Sequence, residues 1–266
     1  EFYGIIGRDL MSKLVWQIDF ERKIIIIAKE KSFLKFENSA VSIPVNLRNK
    51  KGNMKIPLMI NRNLSRNVIV DLGSTGCLKI KLQEDSLSYY FEDKFSFFKG
   101  NFSLGLSGTS ITKDAIILVD SIRMSNNISF DSLYCISKSK SLNLIGLGFF
   151  KNFKTTLSWK DEEIILEPYN KICFKKKIFG VGFKFVNNEL IISSTISGGT
   201  ADDLGIKIGD KVIAINEKEI QNEDDYCSLN YEDNDVMIIE IIRDKIEYSF
   251  TLSKQYFLNT DEKRQK

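Results

Sequence analysis

The sequence predicts a mainly β protein with about two β-rich domains and a few short helices. Short apolar runs rich in Ile, Val and Phe recur along the chain and are separated by Gly, Asn and Asp residues, as is typical of strands joined by turns. Apolar residues make up 43% of the 266 positions and only 3 residues are proline, so the chain can bury substantial cores.

The composition excludes several classes of chemistry within this chain. There is no histidine, so serine or cysteine triads with an imidazole and His-Glu-x-x-His zinc sites lack their central residue. The net charge of +3 is too small to predict nucleic acid or an anionic membrane as a partner. The four cysteines show no Cys-x-x-Cys spacing, and no apolar run approaches the roughly 20 residues of a membrane span. We therefore expect no cofactor, metal, nucleic acid or membrane span here.

A candidate catalytic carboxylate follows an apolar run. Residues 68–70 are Val-Ile-Val, which favours a buried strand, and Asp71 comes directly after them. Gly73 and Gly76 can adopt backbone angles closed to other residues, so we expect the carboxylate on a sharp turn. An apolar strand followed by Asp-x-Gly is also a common strand-to-turn junction without catalysis, so the motif alone leaves both interpretations open.

The chain contains an internal near-repeat, because Ile5 corresponds to Leu144 with an offset of 139 residues (144 minus 5). Each copy has two apolar residues and a glycine, then a short amphipathic helix, then two apolar strands separated by charged turn residues. Asp71 stands 73 residues before Leu144, and the same spacing from Ile5 falls before residue 1. Residues 1–30 are therefore expected to be the end of a first lobe whose acid lies outside this chain.

Two local predictions concern strands between these motifs. Residues 24–28, Ile-Ile-Ile-Ile-Ala, are predicted to be a buried strand. Residues 43–47 and 55–60 are predicted to be the strands of one hairpin, because residues 49–53 have the composition of a turn.

With these motifs, residues 1 to about 168 resemble bacterial two-lobed retropepsin-like (pepsin or retropepsin type) aspartic proteases, with most of the first lobe missing. Asp71 stands where the family has its catalytic acid, and the active-site loop continues with Leu72, Gly73 and Ser74. Residues 144–146, Leu-Ile-Gly, stand where the family packs an apolar-apolar-Gly segment behind that loop. Residues 100–108 resemble the flap that closes over substrate, with candidate flap residues Gly105, Leu106, Ser107 and Gly108. The resemblance implies a retropepsin-like β-barrel lobe and hydrolysis by water that two carboxyl groups activate while sharing one proton.

One position departs from the family pattern. The family has Thr or Ser directly after the catalytic Asp, where the hydroxyl hydrogen-bonds across the lobe interface, and Leu72 has no hydroxyl. Ser74 remains available to hydrogen-bond the carboxylate of Asp71 and orient it. Both an active enzyme with an altered dyad and a lobe that has lost activity stay open.

A second resemblance covers residues 174 to about 254, which look like a PDZ domain. Residues 197–216 follow the bacterial pattern of Gly-Ser-Pro-Ala, Ala-Gly-Leu, Gly-Asp and an apolar strand ending in Ile-Asn-Gly. Residues 199–201, Gly-Thr-Ala, depart from Ser-Pro-Ala, and Glu217 replaces the last glycine. Residues 222–230 are a candidate groove helix. The loop expected to receive a peptide carboxylate consists of Gly180, Val181, Gly182 and Phe183. Such domains bind an extended peptide as an added strand, and the alternative is a glycine turn in a small β-rich domain without a ligand.

The predicted order is a lobe remnant (1–30), a retropepsin-like lobe (31–168), a PDZ domain (174–257) and a polar tail (258–266). The first hypothesis is an aspartic endopeptidase acting on a peptide or protein substrate, with Asp71 as one acid and the PDZ domain docking substrate or a partner. A missing N-terminal lobe or a second copy of the chain would complete the dyad. The second hypothesis is a catalytically impaired homologue that only binds peptides. The resemblance alone implies a periplasmic or secreted location.

Overall fold

The computed structural model describes residues 6–48, 52–100, 114–124, 128–139, 141–170, 172–174, 177–229, 231 and 234–258. Strands predominate in these residues, and their α-helices have only four or five residues each, which confirms the mainly β class. The chain divides into two compact units, Glu1–Glu92 with Leu118–Lys175 and Asp93–Ile117 with Lys176–Lys266. No helix in the described part of the chain is long and apolar enough to cross a membrane.

The helices and strands are named in chain order, and two 3₁₀ turns lie at Lys31–Phe33 and Glu84–Ser86. They are α1 (Arg8–Met11), β1 (Val15–Asp19), β2 (Ile24–Ala28), β3 (Val41–Pro44), β4 (Lys55–Ile60), β5 (Leu64–Asp71), β6 (Leu78–Ile80), α2 (Leu87–Phe91), β7 (Phe95–Gly100), β8 (Ala115–Arg123), β9 (Ser129–Ser137), β10 (Leu144–Gly146), α3 (Leu147–Phe150), β11 (Phe153–Ser158), β12 (Glu163–Pro168), β13 (Val181–Val186), β14 (Glu189–Ile196), α4 (Thr200–Asp203), β15 (Lys211–Ile215), β16 (Lys218–Glu219), α5 (Glu223–Cys227), β17 (Val236–Arg243) and β18 (Ile246–Ser253).

Six strands of the first unit form a β-barrel in the order β4-β5-β10-β6-β9-β8, and β8 closes it by pairing with both β9 and β4. Alternate residues of β4, Ile56, Leu58 and Ile60, are at most 1% exposed, as expected where one face of a strand points into a filled barrel. Asn61 and Arg62 both have positive φ in the turn between β4 and β5, as in a type I′ hairpin. The barrel therefore presents β5, with Asp71 as its last residue, next to β10.

The first unit also contains a five-stranded antiparallel sheet in the order β2-β1-β11-β12-β3. The predicted hairpin of residues 43–47 with 55–60 is wrong, because β3 pairs with β12 and only an isolated bridge joins Asn46 to Lys55. In this sheet Ile43 lies opposite Ile164, and both side chains are 0% exposed. The composition of residues 49–53 favours a turn but does not specify the strand with which β3 pairs. Residues 49–51 lie outside the described residues.

The two copies of the sequence repeat have the same local structure. The pairs α1 and α3, β1 and β11, and β2 and β12 are related by the 139-residue offset to within one residue at each end. The antiparallel pairing of β1 with β11 places Gln17 opposite Thr156, and these are equivalent residues (156 minus 17 is 139). The buried Gln17 Nε2 donates to Thr156 Oγ1 at 3.2 Å. A local two-fold axis therefore passes between these two residues.

Residues 24–28 form a strand as predicted, but the prediction that this strand is buried is wrong. The strand forms as β2, but its four isoleucines are 46–55% exposed, since β2 is the edge strand of the five-stranded sheet. The apolar run therefore correctly predicted a strand, but not its exposure. Among the described residues nothing covers it.

In the second unit the strand order is β18-β17-β15-β14-β7, with β13 paired to the other side of β14 and β16 paired to β15. Its core contains residues of β14, α4, β15, β17 and β18, among them Ile192, Val212, Met237 and Ile239, and partly buried side chains of β13 pack against it. The side chain of Asp210 is 2% exposed and is neutralised by Arg243, whose Nε donates to Asp210 Oδ1 at 2.7 Å.

Candidate active site

Strand β5 carries Asp71 to the edge of the barrel. Val68 is fully buried and anchors the strand, while Asp71 is half-buried and ends it. A carboxylate in this position stays accessible to solvent while its backbone is held by a buried β-ladder. The predicted strand-then-turn presentation of Asp71 is what the fold contains.

The loop after Asp71 turns back on the carboxylate. The N–H of Gly73 donates to Asp71 Oδ1 at 3.0 Å, and the N–H of Ser74 donates to the Asp71 carbonyl oxygen at 3.1 Å. A Cβ at Gly73 would lie 3.2 Å from Asp71 Oδ1, so glycine permits this close approach. The bonds fix the orientation of the carboxyl group relative to the loop.

Strand β10 runs between β5 and β6, the two strands that the loop connects. It pairs in parallel with β5, with Gly146 opposite Asp71, and antiparallel with β6. Three N–H groups then support the loop from behind: Gly146 donates to Cys77 O (3.0 Å), Leu147 to Ser74 O (2.7 Å) and Gly148 to Gly76 O (3.2 Å).

The contact is so close that position 146 cannot carry a side chain without displacing the loop. A Cβ at Gly146 would lie 2.4 Å from Ser74 O and 2.5 Å from Gly76 O. The sequence comparison placed residues 144–146 behind the loop by resemblance. It missed Gly148, where a Cβ would lie 2.8 Å from the Cys77 nitrogen, although the Gly-x-Gly spacing in residues 146–148 was visible.

Two side chains of the loop, those of Leu72 and Ser74, bear on how the Asp71 carboxylate is oriented. Leu72 is half-buried and offers no hydroxyl. Within the described residues, the recorded donor to the Asp71 carboxylate is the Gly73 N–H and not the Ser74 hydroxyl that the sequence pattern had left available for this bond. The loop backbone, rather than a side chain, therefore orients the acid.

One buried cysteine of the barrel, Cys135, does not supply a nucleophile. Cys135 lies opposite Leu78 in the pairing of β6 with β9 and is fully buried. Burial raises the pKa of the Cys135 thiol well above its usual range, with a smaller contribution from Cys77. The thiol stays protonated at neutral pH, so attack by a thiolate is excluded at this position.

The predicted flap lies largely outside the described residues, and this includes Gly105, Leu106, Ser107 and Gly108. Its two flanking strands are described: β7 ends at Gly100, β8 begins at Ala115, and they pair antiparallel with Phe95 opposite Ile117. The assignment of a flap to these residues therefore stays a prediction.

The predicted peptide-binding loop lies at the start of strand β13 in the second unit. Gly180 has φ +72°, Val181 begins β13, and the register with β14 shifts between Gly182 and Phe183. Within the described residues, β13 pairs only with β14, so its other edge has no strand partner. A Cβ at Gly182 would lie 2.4 Å from Ser194 Oγ, which is buried and has no hydrogen-bond partner in the described structure.

The helix beside this strand is shorter than the predicted residues 222–230. It is α5 (Glu223–Cys227), and it begins with a capping box between Asn222 and Asp225. The aromatic rings of Phe183 and Phe185 each contact Tyr226 of α5 with ring centroids 5.9 Å apart. Sequence reasoning did not identify Tyr226, because its helix is too short and too polar to show an apolar period.

No group of three or more Cys, Asp or Glu side chains in the described ranges is arranged to hold a metal ion.

Comparison with known proteins gives likenesses to solved structures alone. No protein-family model matches the chain, and no curated protein matches it. Among solved structures, the crystal structure of a retropepsin-like aspartic protease from Rickettsia conorii is similar, with a TM-score of 0.36 and 18% sequence identity. The match covers 50% of this chain and 95% of that chain.

Proposed function

We propose that this chain is part of an aspartic endopeptidase in which Asp71 is one of two catalytic carboxyl groups. The supporting observation is the arrangement of Asp71 itself. It ends a buried strand, accepts the Gly73 N–H on one oxygen, and lies in a loop held from behind by the backbone of residues 146–148. This rigid support is what a catalytic acid needs, because small displacements of a reacting group cost large factors in rate.

In the proposed mechanism Asp71 and a second aspartic acid share one proton. The ionised carboxylate takes a proton from a water molecule as that water attacks the peptide carbonyl, and the protonated partner donates to the carbonyl oxygen. With the Gly73 N–H on Oδ1, the Oδ2 atom of Asp71 is the oxygen that contacts the water. The second acid comes from an N-terminal lobe or from a second copy of this chain.

Leu72 changes one part of this mechanism. Without a hydroxyl at position 72, the bond that the family forms across the lobe interface is missing, so the relative position of the two acids depends more on backbone packing. We therefore expect an active but slower enzyme. The same observation favours the second candidate function, a homologue that has lost cleavage and retains peptide binding.

The second unit supplies the docking function in this proposal. Residues 174–257 act as a PDZ-like domain in which an extended peptide pairs with the open edge of β13 and its terminal carboxylate meets the N–H groups of residues 180–183. The aromatic contacts of Phe183 and Phe185 with Tyr226 line the adjacent space and provide an apolar surface for a peptide side chain.

The two candidate functions are separated by measuring cleavage and binding on the same material. The full-length natural protein is incubated with a peptide library between pH 3 and pH 8, beside its Asp71→Asn variant, and cleavage is read by mass spectrometry. Cleavage with a bell-shaped or acidic pH profile that disappears in Asp71→Asn supports the peptidase. Binding of C-terminal peptides without cleavage at any pH would contradict the peptidase proposal and favour a homologue that binds peptides without cleaving them.

A further inference from the structure

A phenylalanine beyond the end of β18 lies against the loop proposed to receive a peptide carboxylate. Phe257 is only 5% exposed. A Cβ at Gly180, the first residue of that loop, would lie 2.7 Å from Cζ of the Phe257 ring. The buried ring is therefore in direct contact with the backbone of the loop.

The same ring contacts a second glycine, Gly199, which directly precedes α4. A Cβ at Gly199 would lie 2.6 Å from Cζ and 2.7 Å from Cε1 of Phe257, closer than to Ile196 O at 3.1 Å. Gly199 has φ −97°, which every residue can adopt, and Ser or Thr is preferred over glycine at the start of a helix. The approach of the ring, rather than the backbone conformation, is thus the main reason for a glycine at position 199.

Backbone hydrogen bonds connect the two glycines through one residue. The N–H of Ile196 donates to Gly180 O at 3.0 Å, and the N–H of Gly199 donates to Ile196 O at 3.0 Å. The ring of Phe257 packs against both ends of this connection. Its removal would leave a cavity beside the loop and beside the turn before α4 at the same time.

The segment that carries Phe257 is fixed along the residues that lead into the loop. Ile178 and Gln255 exchange two backbone hydrogen bonds, of 3.0 and 3.1 Å. The ammonium group of Lys254 lies 5.2 Å from the ring centroid of Phe179. These contacts determine where Phe257, two residues after the bridge, meets the loop.

From these contacts we infer that Phe257 is a positioning residue for the peptide-carboxylate loop of residues 180–183. Its ring holds Gly180 in the left-handed conformation, at φ +72°, in which the N–H groups of the following residues bind the carboxylate. A loop held in its binding conformation loses less conformational entropy when the ligand arrives, so the ring raises the affinity without touching the peptide. That ligand, an extended peptide with a free C-terminal carboxylate, is taken from the proposed function, on which this inference rests.

The test compares peptides with and without the C-terminal charge. The probes are fluorescein-labelled hexapeptides ending in Val, Leu or Phe with a free carboxylate, and the same peptides with a C-terminal amide. Their binding to the 266-residue chain is measured by fluorescence anisotropy. We expect the wild type to bind the carboxylate form about tenfold or more tightly than the amide, because hydrogen bonds to an ionised group are stronger. Phe257→Ala should reduce this preference to about threefold or less, since the loop is no longer held.

Leu252→Ala is the matched control for a loss of stability. Leu252 is 0% exposed in β18 and belongs to the core of the second unit, so its truncation also leaves a cavity. At a temperature where every variant is folded, Leu252→Ala should keep the carboxylate preference near wild type. Phe257→Leu replaces most of the lost volume and should recover most of the preference.

Gly199→Ala tests the same contact while the ring is kept. The new Cβ must displace the Phe257 ring, so the carboxylate preference should fall as in Phe257→Ala. In the Phe257→Ala background the ring is absent, and Gly199→Ala should add little further loss. Additive losses from the two substitutions would contradict a shared contact.

The outcomes separate this inference from the proposed docking function. A carboxylate preference that is unchanged in Phe257→Ala and in Gly199→Ala overturns the inference and leaves peptide docking intact. A preference that Leu252→Ala lowers equally also overturns it, because loss of stability would then account for the effect. If the wild type binds neither form, or binds both equally, docking through the carboxylate is itself wrong and the role of Phe257 falls with it.

Discussion

Gly146→Ala is expected to destabilise the first unit, because the new Cβ meets backbone atoms that cannot rotate away. It would lie 2.4 Å from Ser74 O and 2.5 Å from Gly76 O. An ordinary carbon–oxygen contact is about 3.3–3.6 Å, so β10 and the acid loop must separate by roughly 1 Å. The three hydrogen bonds from residues 146–148 to the loop lengthen at the same time.

The expected loss in the free energy of unfolding is about 3 kcal/mol, the upper part of the range for overpacked sites. For a unit of this size the melting temperature should fall by about 6–12 °C. The matched control is Gly7→Ala, at the equivalent position of the first copy, where nothing lies within 4 Å of the new Cβ.

Tryptophan fluorescence during urea unfolding measures this directly. The 2 tryptophans of the chain, Trp16 and Trp159, are 3% and 8% exposed and both belong to the first unit. In the 266-residue chain the unfolding midpoint of Gly146→Ala should fall while that of Gly7→Ala stays near wild type. Equal midpoints for the two variants would refute the close packing of β10 against the acid loop.

Three further predictions concern the second unit. Arg243→Met leaves the buried carboxylate of Asp210 unpaired and should cost about 3 kcal/mol by far-UV circular dichroism in urea, and adding Asp210→Asn should recover part of the loss. The hydrogen bond from Lys99, together with one from a backbone N–H, lowers the pKa of Asp202 in the folded protein. The ionised Asp202 therefore stabilises the folded state at pH values above its pKa in the unfolded chain, and this stabilisation is lost as the pH falls through its pKa in the folded protein. The difference in urea midpoint between wild type and Lys99→Met should therefore shrink below about pH 4, and a constant difference would contradict this. Tyr226→Ala should weaken binding of a C-terminal peptide about tenfold or more by fluorescence anisotropy, with an unchanged affinity counting against the proposed groove.

The Asp71 loop could be predicted from sequence because its determinants are local. The Val-Ile-Val run specifies a strand and the following glycines specify a tight turn, whereas the position of residues 144–146 behind the loop was implied by the family resemblance. The structure adds that the Gly73 N–H, and not the Ser74 hydroxyl, holds the carboxylate. Which of the two groups donates to the carboxylate depends on the backbone conformation of the loop, and the residue types alone do not specify that conformation.

The features that sequence reasoning missed depend on partners distant in the chain. The isoleucines of β2 were expected to be buried because their type favours burial, whereas their exposure depends on which strand lies beside them. β3 was assigned to the wrong partner for the same reason, since Ile43 is equally apolar beside β4 or β12. Tyr226 of α5 packs against rings of β13, which is distant in the chain, so this contact has no local sequence signal.

The measurement that tests the central claim most directly is kcat/KM of the full-length natural protein on its best library peptide, compared with Asp71→Asn and with Asp131→Asn, an exposed aspartate of β9. If Asp71 is a catalytic acid, Asp71→Asn should lower kcat/KM at least about a thousandfold without changing the melting temperature, and Asp131→Asn should leave it near wild type. Cleavage that survives Asp71→Asn would contradict the assignment of Asp71 and the aspartic peptidase built on it.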